Sequence, residues 1–138
     1  MSDRSGLQAA IAAEHAVVYG YGPVGAHLKG AARRYAAARL TAHQNLRDRL
    51  AQLITAAGDT PAAAQPAYRL PFAVADAATA KRLAAHLENG SAGAAWDLTA
   101  ASPPQSEARD LAVTWLTDAA VAAAHWGDVP ALPGRPAG

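Results

Sequence analysis

Cysteine is absent from the 138-residue chain, and phenylalanine and methionine occur once each. Without cysteine there is no disulfide frame, no thiolate zinc site and no iron–sulfur cluster. Charge is thin as well. Asp, Glu, Lys and Arg make up 17% of residues, below the usual quarter, and nearly cancel to +1. That balance excludes a disordered polyelectrolyte and a strongly basic nucleic-acid binder. No run of 18 apolar residues exists, so a membrane span is not expected. The opening Met1-Ser2-Asp3-Arg4-Ser5-Gly6 lacks an apolar stretch before a small-residue cleavage site. We therefore expect no signal peptide and a cytoplasmic protein. The length suits one domain, placed at 6–127, with a flexible Pro/Gly-rich tail over 128–138.

Alanine is what the chain has in excess, at 40 residues. It is the best helix former, and Val and Ile are too sparse and too irregular to suggest strands. Four helices are expected. The first runs from about Leu7 to Lys29, with Ser5 as N-cap and a bend risked by Gly20, Gly22, Pro23 and Gly25. The second runs from about Ala31 to Ala57, stopped by Gly58-Asp59-Thr60-Pro61. The third follows Asp76 as N-cap and reaches about Ala100 before Ser102-Pro103-Pro104. The fourth follows Gln105 or Ser106 and ends at Trp126, closed by Gly127.

Connection lengths carry topology. The first pair and the last pair are joined by short links and must form antiparallel hairpins. The segment from Gly58 to Ala75 has 18 residues and three prolines. Extended at ~3.1 Å per residue it spans roughly 50 Å, more than the ~36 Å of a 24-residue helix. It can run the length of a bundle and set helices 2 and 3 parallel. Tyr68, Leu70, Phe72 and Val74 would pin it. The expected fold class is an all-α four-helix bundle with one long crossover between helices 2 and 3.

Each helix offers a polar residue near the middle of its apolar face. Glu14 interrupts the stripe Leu7, Ile11, Val18, Tyr21. His43 sits one turn before Leu46. Glu88 lies beside Leu83, Leu87, Ala94 and Leu98. Asp118 falls in the row Leu111, Trp115, Val121 or Ala122, and His125. Glu14, His43, Glu88 and Asp118 are thus the candidate metal ligands, since carboxylates bridge iron or manganese and imidazole adds a neutral donor. The competing reading is a buried hydrogen-bond network, with Arg39 or Arg47 reaching Glu14. It carries more weight, because long bundles often hold such networks. His15 points about 100° away from Glu14 and reads as a flank residue. His27, His86 and His125 read as half-exposed.

Trp96, Trp115 and Trp126 supply bulk in an alanine core and seek one partner for each ring nitrogen. The glycines at 20, 22 and 25 follow no strand and precede no Gly-Lys-Ser, so they form no phosphate loop. Arg33, Arg34, Arg39, Arg47 and Arg49 make helix 2 basic, but no aromatics interleave with them. A solvated face with salt bridges to Glu107, Asp110 or a second subunit fits better than nucleic acid. No Gly-x-Ser-x-Gly or His-Glu-x-x-His motif occurs.

The run Leu7 to Gly22, with its Glu14-His15 and Tyr19-Gly20-Tyr21-Gly22, resembles the first helix of an uncharacterised ferritin-like family of actinobacteria. So do Ala42-His43 through Arg47-Asp48, Tyr68-Arg69-Leu70-Pro71-Phe72-Ala73-Val74, and Leu116 to Val121. The resemblance covers about residues 6–127 and implies a ferritin-like bundle. It brings no assigned activity. The wider ferritin-like group suggests a di-iron site, with Glu on helices 1 and 3 and Glu-x-x-His on helices 2 and 4. Glu14 and Glu88 match the lone glutamates. Leu40 stands where Glu should precede His43, and Ala122 where Glu should precede His125. Both Glu-x-x-His motifs are missing.

The expected function is therefore that of a metal-free, cofactor-free homodimeric bundle of non-enzymatic role, without nucleic-acid or membrane partners. An unidentified small molecule or protein partner stays open, including a small apolar ligand held by Trp96, Trp115 and Tyr21. The alternative is a di-metal carboxylate oxidase or metal-handling protein using iron or manganese.

Overall fold

The computed structural model describes residues 3–127; the tail assigned to 128–138 lies outside the described residues. Four helices occur in the described chain: α1 (Asp3–Ala26), α2 (Gly30–Ala56), α3 (Ala77–Ala101) and α4 (Glu107–Trp126). Their ends follow local chemistry. Asp76 caps α3 by accepting from the Thr79 backbone, and Thr79 reaches back to the Asp76 backbone. That reciprocal pair satisfies orphan donors at the helix start. Ser106 caps α4 by accepting from the Arg109 backbone. Gly127 ends α4 with φ of 109°, a left-handed conformation that glycine adopts without steric cost. Two expectations need correction. Ser5 lies inside α1, which begins at Asp3, and α1 ends at Ala26 rather than Lys29. The Gly20–Gly25 stretch is helical throughout, Pro23 included.

The core forms two apolar clusters, one toward each end of the bundle. One holds Leu7, Ile11, Leu50, Ile54, Leu98 and Trp115. The other holds Val24, Leu28, Ala36, Leu83, Leu87 and Trp126. The starts of α2 and α3 therefore share one end, and the two helices run parallel. The crossover lies along α1. Gln8 bonds Asp59, Thr60 and Ala62, the His15 ring meets the Ala62 carbonyl at 2.8 Å, and Tyr19 packs on Tyr68. Leu70, Phe72 and Val74 then pack on the second cluster. This is the ferritin-like topology of a four-helix bundle with a long connection between its second and third helices.

Alanine governs the packing. A buried alanine withdraws only about one methyl from water, ~0.8 kcal/mol, so the helices must approach closely to bury enough. Gly20 shows how closely. A Cβ built there would lie 2.7 Å from Leu87 Cδ1. On α4 the buried row is Ala112, Trp115, Ala119, Ala122, Ala123 and Trp126. Of the expected row, Trp115 and the alternative Ala122 are buried, while Asp118, Val121 and His125 turn outward: Val121 is 64% exposed, and the Asp118 side chain 57%. The larger apolar residues misled the phase, because the close α3–α4 contact is made by small ones.

A candidate functional site at the bundle centre

Between the two apolar clusters lies a polar layer. Glu14 comes from α1, Arg39 and His43 from α2, and Glu88 and Ser91 from α3; all are buried. Arg39 and His43 are four residues apart, and Glu88 and Ser91 three, so each pair shares a helix face. Three of the expected positions, Glu14, His43 and Glu88, meet here. The fourth, Asp118, joins from the rim of α4 through Arg39.

The His43 ring stands between two carboxylates. Its Nδ1 lies 3.0 Å from both oxygens of Glu14, and its Nε2 lies 2.9 Å from Glu88 Oε1. A carboxylate accepts and does not donate, so both ring nitrogens must carry protons. The imidazolium form follows from geometry. Burial works against that charge, but hydrogen bonds to Glu14 and Glu88 outweigh it and raise the pKa to about 9.

Arg39 performs the same service one step outward. Its Nε donates to Glu88 Oε2 at 2.9 Å, its Nη2 to Glu88 Oε1 at 3.1 Å, and its Nη1 to Asp118 Oδ2 at 2.8 Å. The paired bonds to Glu88 are the fork geometry that guanidinium provides and lysine does not. Burial disfavours the guanidinium charge, yet Glu88 and Asp118 hold it firmly protonated. Arg39 Nη2 and His43 Nε2 are 3.3 Å apart. Both are donors here, so that approach is two cations sharing Glu88 Oε1 rather than a hydrogen bond.

Burial would raise the Glu88 pKa, but His43 and Arg39 overcome it and lower the value. Tyr21 also donates to Glu88 Oε2, at 2.5 Å. Burial, with the adjacent Glu88 charge, pushes the Tyr21 phenol far upward, so it remains a neutral donor. The layer continues into the indoles. Trp126 Nε1 donates to Tyr21 Oη, Trp115 Nε1 donates to Ser91 Oγ, and Ser91 Oγ donates to Glu14 Oε1. Among the described residues no buried side-chain nitrogen or oxygen lacks a partner. Among them, too, no group of three or more His, Cys, Asp or Glu stands in metal-holding geometry. The carboxylates are separated by cations instead of converging on a shared point.

Sequence reading missed Ser91 and gave Arg39 the wrong carboxylate. A signal for Arg39 existed: it precedes His43 by one helical turn, on the same face. Arg49 meets Glu107 across the bundle at 2.9 Å, as the basic face suggested.

The chain matches a family model described as a domain of unknown function (DUF4439) over residues 6–137. The chain belongs to this family. It is similar to a conserved hypothetical protein, rv2844, from Mycobacterium tuberculosis, at 36% sequence identity. Its crystal structure matches this one with a TM-score of 0.85, over 90% of this chain and 93% of that one. No protein of curated function matches the chain. The family match and the similar solved structure thus support the bundle and carry no activity to it.

Proposed function

We propose that the protein is a metal-free ferritin-like scaffold of non-enzymatic function, in which two side-chain cations occupy the centre that a di-metal bundle gives to its ions. The observation that carries this reading is the alternation Glu14, His43, Glu88, Arg39, Asp118, each anion separated from the next by a cation. A two-metal centre needs carboxylate oxygens free to bridge and ligate. Here a metal would have to expel a buried guanidinium and take His43 as a neutral ligand. The residues as arranged do not fit such a group.

The protein works as a cytoplasmic homodimer in this reading. Its dimer surface is the outer face of α4, where Val113 and Val121 are 51% and 64% exposed. They stand eight residues apart, just over two turns, and so share a face. Among the described residues no helix is long and apolar enough to cross a membrane. The dimer is tested by sedimentation equilibrium, where Val121→Asp should give monomer.

Metal analysis tests the centre. The protein is exposed anaerobically to Fe(II) and Mn(II), desalted and compared with Glu14→Ala. Metal well below one ion per chain, unchanged in the variant, is expected. Two ions per chain, lost in the variant, would replace this reading with the alternative of a carboxylate-bridged oxidase or metal-handling protein.

A further inference from the structure

The close helix pairs are α1–α2, α1–α3 and α3–α4. Across the remaining seam, α2 and α4 are joined by side chains: Arg49 to Glu107, Arg39 to Asp118, and Tyr35 stacked on His125 at 3.6 Å between ring centroids. Between the first two of these bridges the seam opens into a cleft of about 320 Å³. Leu46 and Leu111 line it, Trp115 and His43 close its floor, and Thr114 and Asp118 stand at its edge. The Tyr21 side of the bundle opens into a separate cleft with Gly22 and Leu40, so Tyr21 and Trp115 do not share one ligand space.

Charge decides what the cleft suits. In the metal-free reading, three carboxylates (Glu14, Glu88, Asp118) formally face two cations (Arg39, His43), leaving one negative charge in excess. That excess sits at the cleft mouth. Arg39 engages only Oδ2 of Asp118, and the Asp118 side chain keeps 57% of its surface. At the opposite end Arg49 is already engaged by Glu107 at 2.9 Å and by Gln52 at 3.3 Å. It would repel a second cation and has little need of another anion. A bare metal ion would find a single carboxylate, with Asn45 and Thr114 as uncharged polar side chains and the His43 and Arg49 cations opposing it. An ammonium on an apolar body satisfies both the charge and the walls. The volume is at the lower end for ligand pockets, ~300–1,000 Å³, which suits a single-ring molecule.

We infer that the α2–α4 cleft binds a small amphipathic monoamine, with its ammonium at Asp118 and its apolar body on Leu46, Leu111 and Trp115. The inference rests on the metal-free reading for its charge count.

The test uses the full chain, with its metal content measured before and after stripping with EDTA. A failure of the metal-free reading then registers as bound metal, separately from the amine signal. Phenethylamine is titrated and followed by amide and indole nuclear magnetic resonance shifts. 3-Phenylpropionate supplies the same body with opposite charge, and 1,8-diaminooctane supplies a second ammonium. Saturable shifts with phenethylamine, centred on residues 42–46 and 111–118, are expected. Binding should be at least tenfold weaker for the acid and the diamine, and for the variants Asp118→Asn and Thr114→Phe. Thr114 lies outside the ion network, so Thr114→Phe fills the cleft and decides the matter even if Asp118→Asn disturbs the fold. Absent saturation, equal binding of the acid, or binding that survives Thr114→Phe would overturn the inference.

Discussion

The imidazole of His43 lies between the carboxylates of Glu14 and Glu88, with one ring nitrogen 3.0 Å from the first and the other 2.9 Å from the second. Three helices are tied through this one side chain. A neutral histidine could donate to only one of the two glutamates, so the contact links the packing of α1, α2 and α3 to a single proton.

Stability should therefore depend on pH in a stated direction. The His43 pKa rises from an ordinary 6.5 to about 9 on folding. A raised pKa stabilises fully below the unfolded value and is lost as pH climbs through the folded one. The loss falls between about pH 6.5 and 9 and amounts to about 3 kcal/mol. Glu88 acts in the opposite direction. Its lowered pKa stabilises above the ordinary 4.5 and is lost as pH falls below it. Urea unfolding across this range should give a maximum in the mildly acidic region. In His43→Gln the decline on the alkaline side should be much flatter, at lower overall stability; an unchanged alkaline slope would assign it to another group.

Glu14→Gln separates a network role from a buried liability. Glu14 accepts from His43 Nδ1 and Ser91 Oγ. A glutamine keeps one oxygen to accept from the ring but loses the carboxylate charge, so the His43 cation is left half-compensated. Breaking one side of a buried pair in this way should cost ~2–4 kcal/mol at neutral pH. The cost should shrink above pH 9, where His43 is neutral in either protein. Denaturant titrations at pH 7 and pH 9.5 provide the comparison, and a neutral result at both would remove Glu14 from the network account.

Arg39 is expected to be the costliest member to delete. It holds Glu88 with two hydrogen bonds and Asp118 with a third. Arg39→Met should cost ~3–5 kcal/mol, because Glu88 stays buried with its charge half-compensated. Adding Glu88→Gln should restore part of that loss. Double-mutant cycles of unfolding free energy should show ~1–3 kcal/mol of coupling between the two positions. Additive losses would mean that the fork contributes through packing alone. Asp118→Asn should cost under ~1 kcal/mol, since that carboxylate is largely in water.

Helix extents and topology were legible because alanine runs, Asp76, Ser106, Gly127 and the proline-rich crossover are local signals. The alternation Tyr68, Leu70, Phe72, Val74 correctly marked residues that pack as the crossover passes the bundle. Glu14, His43 and Glu88 were legible as polar interruptions of apolar stripes. What they bond was not. Arg39 reads as one of five arginines on a basic helix, and only the arrival of α3 from 49 residues away turns it into the partner of Glu88. Ser91 is too small to stand out. Asp118 was misplaced because hydrophobic periodicity weighs Val121 above Ala119 and Ala123, while close helix packing selects the alanines.

Two glycines in similar helical settings should respond to alanine with opposite sign. At Gly20 the new methyl meets Leu87 Cδ1 at 2.7 Å and Cδ2 at 2.8 Å. Leu87 is itself buried, so its side chain has little room to retreat. Overpacking of this kind costs ~1–3 kcal/mol, against a helix-propensity gain of ~1 kcal/mol. The net effect should be destabilising, and Leu87→Val should relieve it. At Gly90 an added Cβ meets nothing within 4 Å. The propensity gain then stands alone, and Gly90→Ala should stabilise by ~0.5–1 kcal/mol. Guanidinium unfolding of both variants, each at several protein concentrations, checks the pair. Loss of stability in Gly90→Ala that deepens at concentrations favouring dimer would mean that another subunit approaches this part of α3, and would move the dimer contact away from the outer face of α4.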